Sequence, residues 1–202
     1  GGDTDACGRL VNDINLNPGF TFKADGSYDG EGTPEQWTPI GSENLPYIGT
    51  FSGDNKTISG VYINVNAAYQ GLFGYIDGGA VQDLTTQDGY IQGNGDVGGI
   101  SGYAANAAIK NCVNGCYLAS TSSYLGGIAG RIETTLVSEC VNKGSLVSGT
   151  YQNGGITGNA SKAIIDDCIN EADITVADHA AGITAYNDYG VVSNSINYGN
   201  VS

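Results

Sequence analysis

Basic side chains are scarce. Lys and Arg together number seven against 21 Asp and Glu, which leaves a formal net charge of −14 in 202 residues. Nucleic-acid affinity rests on Lys and Arg displacing counterions from phosphates, so DNA and RNA are excluded as natural partners. Long apolar runs are missing too, and none approaches the ~18 residues a helix needs to cross a bilayer. No membrane insertion by this segment is expected. Methionine is absent, histidine and tryptophan occur once each, and charged residues make up only 14%. The cysteines lack the paired CxxC knuckles of a zinc site, and no His-Glu-x-x-His motif offers a metallopeptidase centre.

What is plentiful is glycine, at 33 residues, with a hydrophobic fraction of 40%. That balance favours strands and tight turns over helices while still supporting a core. The glycines are also periodic. Gly71-Leu72-Phe73-Gly74, Gly99-Ile100-Ser101-Gly102, Gly127-Ile128-Ala129-Gly130, Gly155-Ile156-Thr157-Gly158 and Gly182-Ile183-Thr184-Ala185 recur at steps of 28, 28, 28 and 27. A second register repeats with the same period: Ile109 to Asn114, Val137 to Asn142, Ile165 to Asn170 and Val192 to Asn197. A third aligns Leu118, Leu146, Ile174 and Val201, with Ile91 preceding them at a one-residue offset.

A fixed period of this length marks a solenoid. The apolar segments are too short for helices, carry β-branched residues and are separated by Gly, Asn, Asp and Ser, so they read as strands. Three strands per turn, each paired with its equivalent one coil away, predict an all-β, right-handed, single-stranded parallel β-helix with about 28 residues per coil. Ile100, Ile128, Ile156 and Ile183 then form one interior column. Cys112, Cys140 and Cys168 form another, as free buried thiols, while the pairing of Cys7 and Cys116 stays open. Asn114, Asn142, Asn170 and Asn197 fall at equivalent turns as an amide ladder in which each side chain bonds the next, the backbone there being free to turn left-handed.

Residues 71–202 are expected to form regular coils and residues 1–70 an N-terminal cap with irregular first coils. Between Asp3 and Ile14, the i, i+3, i+4, i+7 spacing of Cys7, Leu10, Val11 and Ile14 predicts a short amphipathic helix plugging the first coil. Gly1-Gly2 in place of an initiating Met suggests processing. Val201-Ser202 ends in mid-pattern, which predicts that further coils or another domain follow in a longer parent chain.

Trp37-Thr38-Pro39-Ile40-Gly41, then Gly49 to Gly60, then Gly71-Leu72-Phe73-Gly74, together resemble the opening of bacterial GLUG-motif proteins. The later Gly-Gly-Ile-x-Gly units resemble that family's repeats, and the resemblance spans about residues 8 to 202. It implies a secreted or cell-surface bacterial protein, adhesin-like in some members and joined to a peptidase domain in others. It carries over no catalytic residue.

Candidate chemistry is sparse. β-helix polysaccharide enzymes need clustered carboxylates with basic partners, and only Asp166-Asp167 offers an adjacent acidic pair near a strand. Neighbouring coils place Lys110-Asn111 and Ser138-Glu139 there, so the pair reads as surface charge. His179, beside Asp178, reads as an exposed turn residue without a nucleophile. Asp25 and Asp29 are weak Ca2+ candidates, spaced like the start of an EF-hand loop whose twelfth position is Gln36 rather than Glu. Tyr75 and Tyr103, 28 residues apart, are weak ligand-binding candidates that also suit packing over strands. No other cofactor is implied. The expected function is a non-catalytic extracellular module, adhesin-like or stalk, whose lateral face meets protein or glycan. A β-helix lyase or glycosidase, or a pure spacer, are the alternatives.

Overall fold

A computed structural model describes residues 4–148 and 151–202. It is a parallel β-helix without a helix among the described residues. Strands one period apart pair in parallel and in register along three walls. The longest wall carries Thr50–Ser59, Ala80–Gly93, Ala108–Ser120, Leu136–Ser138, Ile164–Asp166 and Val191–Ser193 in successive coils. A second holds Val97–Gly98, Ser123–Gly126, Tyr151–Gly154 and Ala180–Ala181. The third stacks five strands, Phe73–Asp77, Ser101–Ala105, Ala129–Glu133, Thr157–Ser161 and Thr184–Asp188. The one-residue offset of Ile91 is real: Leu118 pairs with Ile91, and a register shift between Gly115 and Tyr117 absorbs the difference.

Pairing at a strand spacing of ~4.8 Å puts equivalent side chains on top of one another. Ile100, Ile128 and Ile156 are wholly buried in one column, with Leu72 below them and Ile183, partly buried, above. On the third wall the interior line alternates in size, Ile76, Ala104, Ile132, Ala160, so large residues in one coil fill the space left by small ones in the next. Such interdigitation brings a narrow solenoid to native packing density.

The asparagine ladder is continuous. Each Nδ2 donates to the next Oδ1, from Asn114 to Asn142 at 2.9 Å, Asn142 to Asn170 at 2.8 Å and Asn170 to Asn197 at 2.7 Å. The Thr86 hydroxyl donates to Asn114 Oδ1 at 3.3 Å and closes the lower end. The ladder also explains the glycine that precedes each column isoleucine. A methyl group on Gly99, Gly127, Gly155 or Gly182 would overlap the side chain of Asn114, Asn142, Asn170 or Asn197 respectively. Glycine and asparagine columns therefore interlock across the coil.

Two expectations are corrected. Residues 4–14 form no helix, and Asp3, where the expected helix begins, lies outside the described residues. Gly8–Arg9 and Ile14–Asn15 pair in parallel with Thr50–Ser59, as a partial coil of the long wall. Of the four residues at helical spacing only Leu10 is buried, while Cys7, Val11 and Ile14 are exposed. The chance of pairing with a waiting strand edge outweighs a local periodicity of eleven residues or so. The ladder asparagines are also not the left-handed residues. That conformation falls three positions earlier, at Asn111, Glu139, Asp167 and Asn194, aligned with Asp83 below.

Asn142→Ala removes an acceptor for Asn114 and Gly144 and a donor for Asn170, all in the interior. Urea unfolding is expected to show a loss of about 2–5 kcal/mol for it. The same change at the exposed Asn197 is expected to cost under ~1.5 kcal/mol.

Candidate functional site

The outward line of the third wall reads Tyr75, Tyr103, Arg131, Asn159, Tyr186 in register across five coils. Its side chains lean on one another. The rings of Tyr75 and Tyr103 lie 4.5 Å apart, Tyr69 meets both edge-on, and the Arg131 guanidinium sits 4.4 Å over Tyr103 and 5.5 Å from Tyr124. Tyr103 is only 5% exposed, and its hydroxyl donates to Glu133 at 2.9 Å. Burial, together with that carboxylate, holds its phenol well above the ordinary range. Of the two tyrosines singled out by their spacing, Tyr103 is therefore spent on packing and Tyr75 is half-buried beside it. The accessible part of the stripe lies further along, where Arg131 is partly open and Tyr186 is exposed, and Tyr151 of the second wall is exposed as well. Asn159 donates to Gln152 at 2.7 Å, and Tyr151 stacks edge-on with His179.

Behind Arg131 lies Asp96, which sequence reasoning passed over. Arg131 Nε and Asp96 Oδ1 are 3.2 Å apart but outside hydrogen-bond geometry, and both atoms are buried. Burial raises the Asp96 carboxyl to about 6, against the pull of Arg131 and with a push from Glu43. No periodic signal pointed to it, because neighbouring coils place Tyr124 and Tyr69 at the equivalent position.

The other candidates have structural tasks. Asp166 Oδ1 accepts from the Ser193 hydroxyl at 2.7 Å and Asn194 Nδ2 at 2.9 Å, bonds that hold its carboxyl below the usual range. Its neighbour Asp167 occupies a left-handed corner. His179 Nδ1 lies 2.7 Å from Asp178 Oδ1, with both side chains more than half exposed. Asp25 Oδ1 accepts from the Ser27 amide and hydroxyl within a turn, while Asp29 pairs with Lys23 at 2.9 Å. No group of three His, Cys, Asp or Glu suited to a metal occurs among the described residues.

Cys112, Cys140 and Cys168 are free, fully buried and directed at carbonyl oxygens two residues back, 3.2 to 3.3 Å away. Burial raises the Cys140 thiol far above its ordinary value, and the hydrogen bond with Cys140 does the same for Cys168. Cys116 is also free and buried, its thiol pushed up to about 12 by desolvation, whereas Cys7 is free and exposed.

No family model matches the sequence, and no curated protein matches it. Among solved structures, the chain is similar to a Bacteroides ovatus protein described as a candidate immunoglobulin A1 protease. The TM-score is 0.59 at 17% identity, covering 95% of this chain and 68% of that one. At that identity the likeness concerns the fold, and it agrees with the stacked parallel coils.

Two outcomes are expected. In the native protein only Cys7 reacts rapidly with Ellman's reagent, and the four buried thiols react after denaturation. Asp96 has a higher pKa folded than unfolded, so its contribution to stability is full below about pH 4 and is lost as pH rises through about 6. Between pH 4 and 7, wild type should lose up to about 3 kcal/mol relative to Asp96→Asn in parallel denaturation curves.

Proposed function

We propose that the chain is a non-catalytic extracellular binding module, a rigid stalk that presents its lateral stripe of Tyr, Arg and Asn side chains to a protein or glycan at the cell surface. The observation that carries this reading is the contrast along the third wall. The interior line is aliphatic through four coils, from Ile76 to Ala160, while the outward line changes from Tyr to Arg to Asn to Tyr and keeps rings and a guanidinium at the surface. Aromatic and Arg side chains are the groups that most often anchor an interface, since they bury large area with few rotors and still offer donors. The resemblance to GLUG-motif proteins supports an extracellular setting.

The structural tasks of Asp166 and Asp25 argue against using these carboxylates for acid and base work, which needs groups free to exchange protons with a substrate. The protease description of the B. ovatus protein favours a second reading, a degradative β-helix enzyme. Both meet in one experiment. The purified chain is applied to an array of glycans and extracellular-matrix proteins, with reducing-end release and peptide-bond cleavage followed on the same ligands. Binding without product, weakened at least ~5-fold by Arg131→Ala or Tyr186→Ala, is the expected outcome. Product formation overturns the module reading in favour of the enzyme, and absence of any binding overturns it in favour of a spacer.

A further inference from the structure

The long wall carries a second group of aromatic residues, on a different side of the coil from the stripe. Tyr62, Tyr90 and Tyr117 are in register on three successive coils. The antiparallel hairpin of Thr21–Phe22 and Tyr28–Asp29 folds over the first two. Phe22 stacks on Tyr62 with centroids 5.1 Å apart and planes 12° from parallel, and Tyr28 meets Tyr62 edge-on at 5.9 Å. Tyr90 is buried, its hydroxyl donating to Gln92 at 2.7 Å. Tyr117, one coil further on, is only partly covered.

A groove of about 380 Å³ opens between the hairpin and Tyr117. Its lining includes Asn15, Phe20, Thr21, Asp88, Gly115 and Tyr117. Gly115 opens it, because the equivalent residues in the adjacent coils are Gln87 and Lys143. Asn15, Thr21, Asp88 and Tyr117 line it, and the Thr21 and Tyr117 hydroxyls, the Asp88 carboxylate and Asn15 Nδ2 make no hydrogen bond to the other described residues, which leaves them open to a ligand. Asn15 Oδ1 is already taken by the Asn17 amide, which fixes the orientation of the donor. No Lys, Arg or His lines the groove.

Rings beside unpaired hydroxyl, amide and carboxylate groups match a sugar, which has apolar C–H faces and a rim of hydroxyls that both donate and accept. A volume near the lower end of the ~300–1,000 Å³ range of small-molecule pockets suits about one or two hexose units. With Asp88 as the only formal charge and the whole chain at −14, acidic sugars are disfavoured. We propose that this groove binds neutral hexose residues of a polysaccharide. The site stands on its own geometry and does not depend on the stripe.

Affinity electrophoresis of the whole chain in gels containing laminarin, xyloglucan, galactomannan or yeast mannan, with polygalacturonate as the acidic control, tests it. Retardation by at least one neutral polymer is expected, with none by polygalacturonate. Tyr117→Ala and Gly115→Leu should weaken retardation at least ~10-fold, since one removes a ring and the other fills the space. Melting temperatures of both variants show that the coil is intact, and Asp88→Asn, an isosteric change, serves as a third variant if either unfolds. Lys110→Ala, an exposed position outside both the groove and the stripe, should leave retardation unchanged. No retardation by any of the four neutral polymers, retardation that survives the groove variants, or a preference for polygalacturonate would each overturn the proposal. Binding of matrix protein through the stripe could persist in all those cases, so the two readings fail separately.

Discussion

Backbone hydrogen bonds between successive coils govern the rest of the molecule, because in the regular coils they hold residues one strand spacing above their equivalents, mostly 27 or 28 positions earlier. A single coil has no interior of its own: its inward side chains are covered only by those of the coils on either side. Once the vertical spacing is fixed, every inward position becomes a column, and the column has to fill. Alternating Ile and Ala does this on the third wall, and a run of cysteines does it where space is small. The polar exception, asparagine, is admitted because its amide can satisfy the coil above, the coil below and its own turn together, and because glycine clears room for it opposite.

This division separates structure from recognition. Inward residues answer to the coils above and below, so they repeat, whereas outward residues are under no such requirement and vary. Both candidate surfaces sit where the outward side departs from repetition. One is the stripe in which tyrosine gives way to Arg131 and Asn159. The other is the groove that exists because Gly115 replaces a longer side chain and the hairpin stops short of Tyr117. The acidic residues that first suggest catalysis or metal binding hold turns and corners, as Asp25 does for Ser27 and Asp166 for Ser193 and Asn194.

The period, the strand registers and the Ile, Cys and Asn columns were legible because stacking imposes one residue type on many coils, and repetition is visible in a linear chain. The interlock of Gly127 with Asn142 was not: both columns could be seen, but their closeness across the coil is a matter of three dimensions. The left-handed corners escaped for a related reason. Asn111, Asp167 and Asn194 are residue types that tolerate the left-handed conformation, but Glu139 is not, and Asn and Asp occur at so many other turns that the corner column does not stand out. At the N-terminus, local periodicity suggested a helix where Thr50–Ser59 offers an edge to pair with. The hairpin groove occurs once, and a feature that occurs once leaves no periodic trace.

The asparagine ladder has a further consequence. Its side-chain amides all point the same way, with Oδ1 of Asn114 toward Thr86 and each Nδ2 toward the next coil. Parallel amide dipoles add, and a row of hydrogen bonds polarises its members. The stack therefore carries an axial electric polarity that is independent of its ionised groups, so its two ends differ electrically even where their coils are alike in sequence.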